Sequence, residues 1–419
     1  MKKLNLTSFI IIGLLLGILV GYVANTNMAK PEQFAEWMSL ITTMFLRLIK
    51  MIIAPLVFST LVVGIAKMGD VNEVGRVGGK ALGWFVIASF ISLTLGLVFV
   101  NLFRPGDAMH ALLPAKDAVS GIATSSLTLK EFVTHLIPSS IVDGMAKNEI
   151  LQIVVFSIFF GTAAAAVGER SKVLIEGIDG VAHVMLKITG YVMNFAPIAV
   201  FAAVAAVIAK SGITVLATYG VFMAEFYFAI SVLWLVLIFI GYLFLKNRIF
   251  PLLRELRMPT LLAFSTASSE AAFPKTLEAL DRFGVKNRIS SFVLPLGYSF
   301  NLDGSMMYCT FATVFIAQAY GIELDLGTQL TMMLVLMLTS KGMAGVPRAS
   351  LVVIAATLGQ FNIPEAGLLL LLGIDHFLDM ARSATNVIGN GLATAVVAKW
   401  EGELGEPVKG DIAKANLDN

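Results

Sequence analysis

Ser268-Ser269-Glu270-Ala271-Ala272-Phe273-Pro274-Lys275 and Lys341-Gly342-Met343-Ala344-Gly345-Val346-Pro347-Arg348 are two versions of one pattern. Each has a tip of small residues, then an apolar residue, a proline and a base. Each interrupts an otherwise apolar stretch, residues 260–280 in the first case and 331–358 in the second. A chain that turns inside a bilayer leaves backbone N–H and C=O groups unpaired, and these are tolerated only where protein or a water-filled cavity covers them. Helix N-termini at such a turn favour a carboxylate, and freed carbonyls favour a cation.

The flanks of both stretches read as spans. A crossing needs about 20 mainly apolar residues, and candidates run over 9–24, 37–66, 81–103, 150–167, 181–209, 219–245, 291–320 and 368–399. The expected fold class is therefore an all-α integral membrane protein with eight transmembrane helices and two re-entrant hairpins. One span separates the hairpins, so they enter from opposite faces as inverted repeats, a pattern that points to a binding site near the midplane.

Composition agrees. Of 419 residues, 57% are hydrophobic and 14% charged, against about 25% charged in an ordinary soluble domain. Mean hydropathy is +0.85. No arrangement lets water cover so much apolar surface, so lipid must. The net charge of +2 is too small to imply nucleic acid. Cys309, the one cysteine, excludes an intramolecular disulfide, and the scattered His110, His135, His183 and His376 offer no metal-ligand pair. Lys2-Lys3 before an apolar run resembles a signal peptide, but no small-x-small cleavage site follows and further spans do. It is read as the first membrane helix.

Loop charges set the orientation. With a cytoplasmic N-terminus, the inner loops hold Lys67, Arg76, Lys80, Arg170, Lys172, Lys246, Arg248, Arg254, Arg257, Arg282, Lys286 and Arg288. The outer loops hold Lys30, Arg104, Lys116, Lys130, Lys147 and Lys210. The excess of bases inside follows the positive-inside rule, provided that each hairpin leaves on the face it entered. The expected location is a bacterial cytoplasmic (inner) membrane, with both termini cytoplasmic.

The last span carries Asp375, Asp379, Arg382, Ser383, Asn386 and Asn390. At the helical period all six fall within roughly 100° of arc, one polar stripe on an apolar helix. Each ionised residue at a helix centre costs about 2.5–3.5 kcal/mol on insertion scales. Three within two turns need one another or a ligand, and intramembrane charges are functional by default. An Asp–Arg pair that only joins helices is the plainer reading. Arg382 offers a planar fork suited to a carboxylate, and Asp379, one turn earlier, can accept from an ammonium group. A ligand bearing both groups is an amino acid with an extra carboxylate. In the seventh span, Asn301-Leu302-Asp303-Gly304-Ser305 implies a broken helix that exposes carbonyls.

These residues carry a resemblance. Ser268-Ser269, Asn301-Leu302-Asp303-Gly304, Ala344-Gly345-Val346-Pro347 and Asp379-Met380-Ala381-Arg382-Ser383-Ala384-Thr385-Asn386 resemble the signatures of the dicarboxylate/amino acid:cation symporter family. That family includes the glutamate and aspartate transporters. Lys50-Met51-Ile52-Ile53-Ala54-Pro55 and Ala196-Pro197 extend the match to nearly the whole chain. The resemblance implies that Arg382 binds a side-chain carboxylate and Asp379 the amino group of L-glutamate or L-aspartate. It places Asn386, Ser305, Ser268 and Ser269 around the main-chain carboxylate, adds the Ser383 hydroxyl, and closes Gly345-Val346 over the ligand. Carriers of C4-dicarboxylates tend to lack the aspartate at the position of Asp379.

The resemblance also implies an elevator-type homotrimer. Scaffold helices would lie in 1–79 and 149–209, an external loop in 104–148, a transport unit in 80–103 and 210–400, and a cytoplasmic tail in 401–419. The second hairpin would be the gate, since Gly342 and Gly345 let its backbone swing.

The cation sites depart from the sodium-coupled pattern. Where relatives place a carboxylate, a methionine, a tyrosine and a threonine, this chain has Asn390, Leu302, Phe85 and Ala88. Residual sodium binding at Asp303, Asn301 and Asn386 stays open, but the balance favours H+ as the coupling ion, with no other cofactor. A proton carrier is a carboxyl or histidine whose pKa burial can shift. Glu270 leads, followed by Asp303, Asp375 and then His376. The rivals are a sodium-coupled or C4-dicarboxylate symporter, and, from another class, an anion channel. A hydrolase built on Ser268 or Ser269 with His376 lacks a Gly-x-Ser-x-Gly elbow, so no enzymatic activity is expected.

Overall fold

A computed structural model of the chain describes residues 6–68, 71–107, 137–212, 219–340, 349–372 and 374–407. Among them the chain is helical, and Val285 and Leu404 form an isolated β-bridge. The helices are α1 (Leu6–Asn27), α2 (Pro31–Met68), α3 (Val71–Phe103), α4 (Ile141–Lys147), α5 (Ile150–Val167), α6 (Lys172–Met193), α7 (Ala196–Ser211) and α8 (Gly220–Leu245). There follow α9 (Ile249–Thr266), α10 (Ser269–Phe283), α11 (Asn287–Phe300), α12 (Asp303–Ala319), α13 (Leu326–Thr339), α14 (Ala349–Gln360), α15 (Leu368–Leu372) and α16 (Asp375–Trp400).

Among the described residues, five stretches are long and apolar enough to cross a membrane: Ser8–Asn27, Pro31–Ala66, Glu73–Phe103, Ile150–Met193 and Gly220–Thr266. The other expected spans lack an uninterrupted apolar window for physical reasons. The fifth breaks between α6 and α7, where Pro197 opens the second helix. The seventh is divided into α11 and α12 at Asn301 and Leu302, whose ψ angles of 58° and 65° are not helical. The eighth, α16, carries the polar stripe.

The first small-residue stretch is a helical hairpin. Ala267 ends α9 with φ 48°, left-handed backbone that costs a residue with a Cβ about 1–2 kcal/mol. Ser268 then caps α10, its side chain accepting the Ala271 N–H at 3.3 Å. The far ends of α9 and α10 lie together, because Arg248 Nη2 donates to Phe283 O at 3.4 Å and its guanidinium sits 5.1 Å from the Phe283 ring. The chain thus returns to where it entered, and the arms extend beyond 260–280 at both ends. α13 and α14 pack against each other as the arms of the second pair. Its tip at 341–348, with Gly342, Gly345 and Val346, lies outside the described residues.

α1 lies against α7 on a stripe of glycines. A Cβ on Gly13, Gly17 or Gly21 would stand 2.5, 2.7 or 2.8 Å from the carbonyl oxygens of Pro197, Phe201 and Ala205. Small residues at this four-residue spacing let helix backbones touch. Gly17→Leu should push α1 off α7 and cost about 1–3 kcal/mol, the usual range for overpacking. A lower unfolding temperature in detergent would register it, and an unchanged one would contradict this packing.

At one end of the bundle the residues after α16 form a strap. Glu401 pairs with Arg76 at 2.9 Å and Lys80 at 2.6 Å on α3. Glu403 pairs with Lys286 at 2.8 Å and with Arg288 on α11. Gly405 N–H donates to Gly284 O at 2.8 Å, and Gly405 O accepts from Arg248 at 2.5 Å. The strap gathers five of the bases expected on the inner face and ties the hairpin base to α3 and α11. Partial burial alone would raise the Glu401 carboxyl, but hydrogen bonds from Arg76 and Lys80 outweigh it and hold the group below the ordinary carboxylate range. The contribution of this link is therefore present at neutral pH and is lost as pH falls below that range, through the lowered value of the folded carboxyl.

Candidate functional site

The stripe on α16 faces inward. Arg382 is 0% exposed and Asp379 7%. Arg382 Nη2 lies 3.0 Å from Asp375 Oδ1 and 2.9 Å from Asp379 Oδ1, while Nε donates to Asp379 at 3.2 Å. The guanidinium carbon stands 4.0 Å from the Tyr308 ring centroid, within the range of a cation–π contact. One base thus sits between two carboxylates and over an aromatic face, in a water-poor interior. Tyr308 was not among the residues singled out by sequence. Its signal is the spacing to Ser305, three residues earlier on α12, which puts both on one face.

The break between α11 and α12 packs onto this helix. A Cβ at Gly304 would lie 2.6 Å from Arg382 O, so only glycine lets the backbones meet. Asn386 Oδ1 then accepts the N–H groups of Gly304 at 2.9 Å and Ser305 at 3.4 Å. Asn386 Nδ2 donates to Ser305 Oγ at 3.2 Å. Asn386 and Ser305, both expected around a main-chain carboxylate, therefore hold each other beside the first turn of α12. Ser383 is buried on the same helix.

A second cluster lies on the other side of the break. Asp303 is 0% exposed. Asn301 Nδ2 donates to Asp303 Oδ2 at 3.0 Å and to Asn390 Oδ1 at 3.1 Å. Ser92 Oγ, from α3, lies 3.2 Å from Asp303 Oδ1 and donates to Ala88 O at 2.8 Å. Asn301 Oδ1 and Asn390 Nδ2 are buried without a protein partner, which leaves one acceptor and one donor for a solute or water. Phe85 and Ala88 are buried on α3. Ser92 was not singled out by sequence, because nothing local distinguishes it from Ser89.

Of the remaining expected residues, Ser268 and Glu270 line one cavity. Ser268 and Ser269 are buried at the turn between α9 and α10. Glu270, 6% exposed, lines a cavity of about 190 Å3 together with Arg47 and Lys50 of α2. His376 is half-buried with its ring 6.3 Å from that of Phe377. Gly345 and Val346 lie outside the described residues. α8 fixes the height of α16, since Tyr227 OH donates to Phe377 O and Trp234 Nε1 to Thr385 Oγ1, both at 2.7 Å.

A buried guanidinium whose terminal nitrogens lack hydrogen-bond partners, beside a broken helix that holds Asn386 and Ser305, is chemically a site for a small anion-bearing solute. Comparison with known proteins agrees with a transport role. The description of the sodium:dicarboxylate symporter family matches residues 6–400. A proton/sodium-glutamate symport protein of Geobacillus stearothermophilus is 41% identical over 412 residues, covering 97% of each chain. A C4-dicarboxylate transport protein of Bacillus subtilis is 40% identical over 96% of this chain and 95% of its own. One of Citrifermentans bemidjiense is 43% identical over 89% of this chain and 87% of its own. With the match running from the first helix to the end of α16, the chain belongs to the sodium:dicarboxylate symporter family.

Proposed function

We propose that this protein is a secondary symporter that carries L-glutamate or L-aspartate across a bacterial cytoplasmic membrane, driven by protons. The observation that carries the substrate assignment is Arg382 held between Asp375 and Asp379. An incoming side-chain carboxylate takes the Arg382 fork, and the ammonium group takes the Asp379 oxygen thus released. Ser305, Asn386 and the α10 N-terminus at Ser268-Ser269 receive the main-chain carboxylate. The relatives named above handle glutamate or C4-dicarboxylates, and Asp379 favours the amino acid because a dicarboxylate would leave it facing like charge.

Eight spans and two re-entrant hairpins are the architecture, with α1, α2 and the spans of 149–209 as scaffold. The strap joining α3, α11 and the hairpin base supports one moving unit over 80–103 and 210–400, working in a trimer as an elevator. Its residues 401–405 belong to that unit rather than to a free tail.

Proton coupling rests on the second cluster. Both oxygens of Asp303 meet neutral side chains, and Asn390 turns an amide rather than a carboxylate toward Asn301. A cation site needs several oxygen ligands to replace hydration, and Phe85, Ala88 and Leu302 supply none from their side chains. Uptake into proteoliposomes with an inward pH gradient in sodium-free buffer should therefore be robust and should collapse with a protonophore. Strict dependence on external sodium, with no response to the pH gradient, would overturn it in favour of the sodium-coupled reading.

A further inference from the structure

α2 carries no charge through its middle except at Arg47 and Lys50. Both line the cavity of about 190 Å3 into which Glu270 and Ser268 at the hairpin turn also face, with Thr43, Leu46 and Ala271 completing the wall. Three ionisable side chains surround this small space, with Glu270 buried, Lys50 half-buried and Arg47 exposed, so it is a charged pocket that opens at the surface of α2. Its volume is room for several waters, and polar walls keep such water in place. The opposite charges come from different bodies, the bases from the helix assigned to the scaffold and the acid from the hairpin assigned to the moving unit.

We infer that Arg47 and Lys50 are positioning residues that dock the Glu270 carboxylate in this conformation, and that protonation of Glu270 through the cavity water releases the hairpin from α2. This rests on the proton-coupled, two-body reading given above. Opposite charge lining the same cavity favours the ionised form of an acid, and neutralising the acid removes the attraction. The proton is thereby taken up where the two bodies separate, so binding it and freeing the hairpin are one event.

Other charged groups on the packed elements include Arg254 and Arg257 on α9 and Asp281 on α10, which accepts from Ser290 at 3.2 Å. On α10 itself Lys275 pairs with Glu278 at 2.7 Å. α11 brings the buried Tyr298 phenol, and α16 brings Asp375, Asp379 and Arg382, which hold one another. On α9, Glu255 pairs with Arg282 at 2.7 Å near the hairpin base. Glu32, Glu36 and Lys67 of α2 stand toward its ends.

The test is the pH profile of uptake for Arg47→Gln, Lys50→Gln and Lys50→Arg, with substrate binding in detergent as the check on folding. Each neutral variant should move the midpoint of the profile to higher pH by about 0.5–1 unit, because Glu270 then protonates more easily. Lys50→Arg should keep the wild-type midpoint, and Glu270→Gln should flatten the profile and lose accumulation against a gradient while retaining exchange. Midpoints unmoved in both Arg47→Gln and Lys50→Gln would overturn the docking role while leaving proton coupling intact. A wild-type profile indifferent to the pH gradient would overturn both.

Discussion

Arg382→Cys should reduce uptake of glutamate and aspartate at least a hundredfold. The side chain is fully buried and is the base that Asp375 and Asp379 share. Charge-assisted, bidentate contacts to a carboxylate are the strong class of hydrogen bond, and removing one partner of a buried ion pair costs about 3–5 kcal/mol. Part of that loss falls on stability, since two carboxylates are left without their common base. The discriminating measurement is therefore the substrate spectrum. With the fixed positive charge gone, neutral amino acids such as serine or cysteine should be carried by the reconstituted variant. Undiminished binding of glutamate and aspartate to Arg382→Cys would refute the assignment.

Asp379→Ser should weaken the acidic amino acids more than tenfold and turn preference toward succinate or malate. The ammonium group loses its acceptor, while Arg382 keeps Asp375 at 3.0 Å and stays paired. This variant should therefore fold more nearly like the wild type than Arg382→Cys does. Competition between labelled aspartate and unlabelled succinate reads the change directly. If the ratio of the two affinities is the same in variant and wild type, Asp379 does not bind the amino group.

Much of this was legible in the sequence because charge in an apolar helix is so costly. Asp375, Asp379 and Arg382 at helical spacing needed one another or a ligand; they face inward as ion pairs, and Arg382 Nη1 and Nη2 are left without a hydrogen-bond partner. The turn at Ser268 and the break at Asn301-Leu302 were legible from small and polar residues where straight helices should run. What was not legible depends on which helices meet. Tyr308 packs over Arg382 only because Gly304 lets α12 touch α16. Ser92 reaches Asp303 from a helix more than two hundred residues away in sequence. The carboxylate-holding role expected of Asn386 and Ser305 is more than local pattern could describe, for they already satisfy each other. Glu270 was expected as a proton carrier without its surroundings, since Arg47 and Lys50 belong to a helix far removed along the chain.

The grouping of Asp375, Asp379 and Arg382 also has an electrical consequence. Two carboxylates and one guanidinium leave a surplus negative charge in this cluster, within the unit proposed to move. Membrane voltage acts on such a charge with about 2.3 kcal/mol per 100 mV. If that unit moves as proposed, the field of a cell that is negative inside would draw this cluster outward when the site is empty. Loading an acidic amino acid would add a second negative charge to the cluster, and two accompanying cations would be needed to cancel the pair. The arrangement of three side chains would thus make the voltage, as well as the chemical gradient, a force on the proposed cycle.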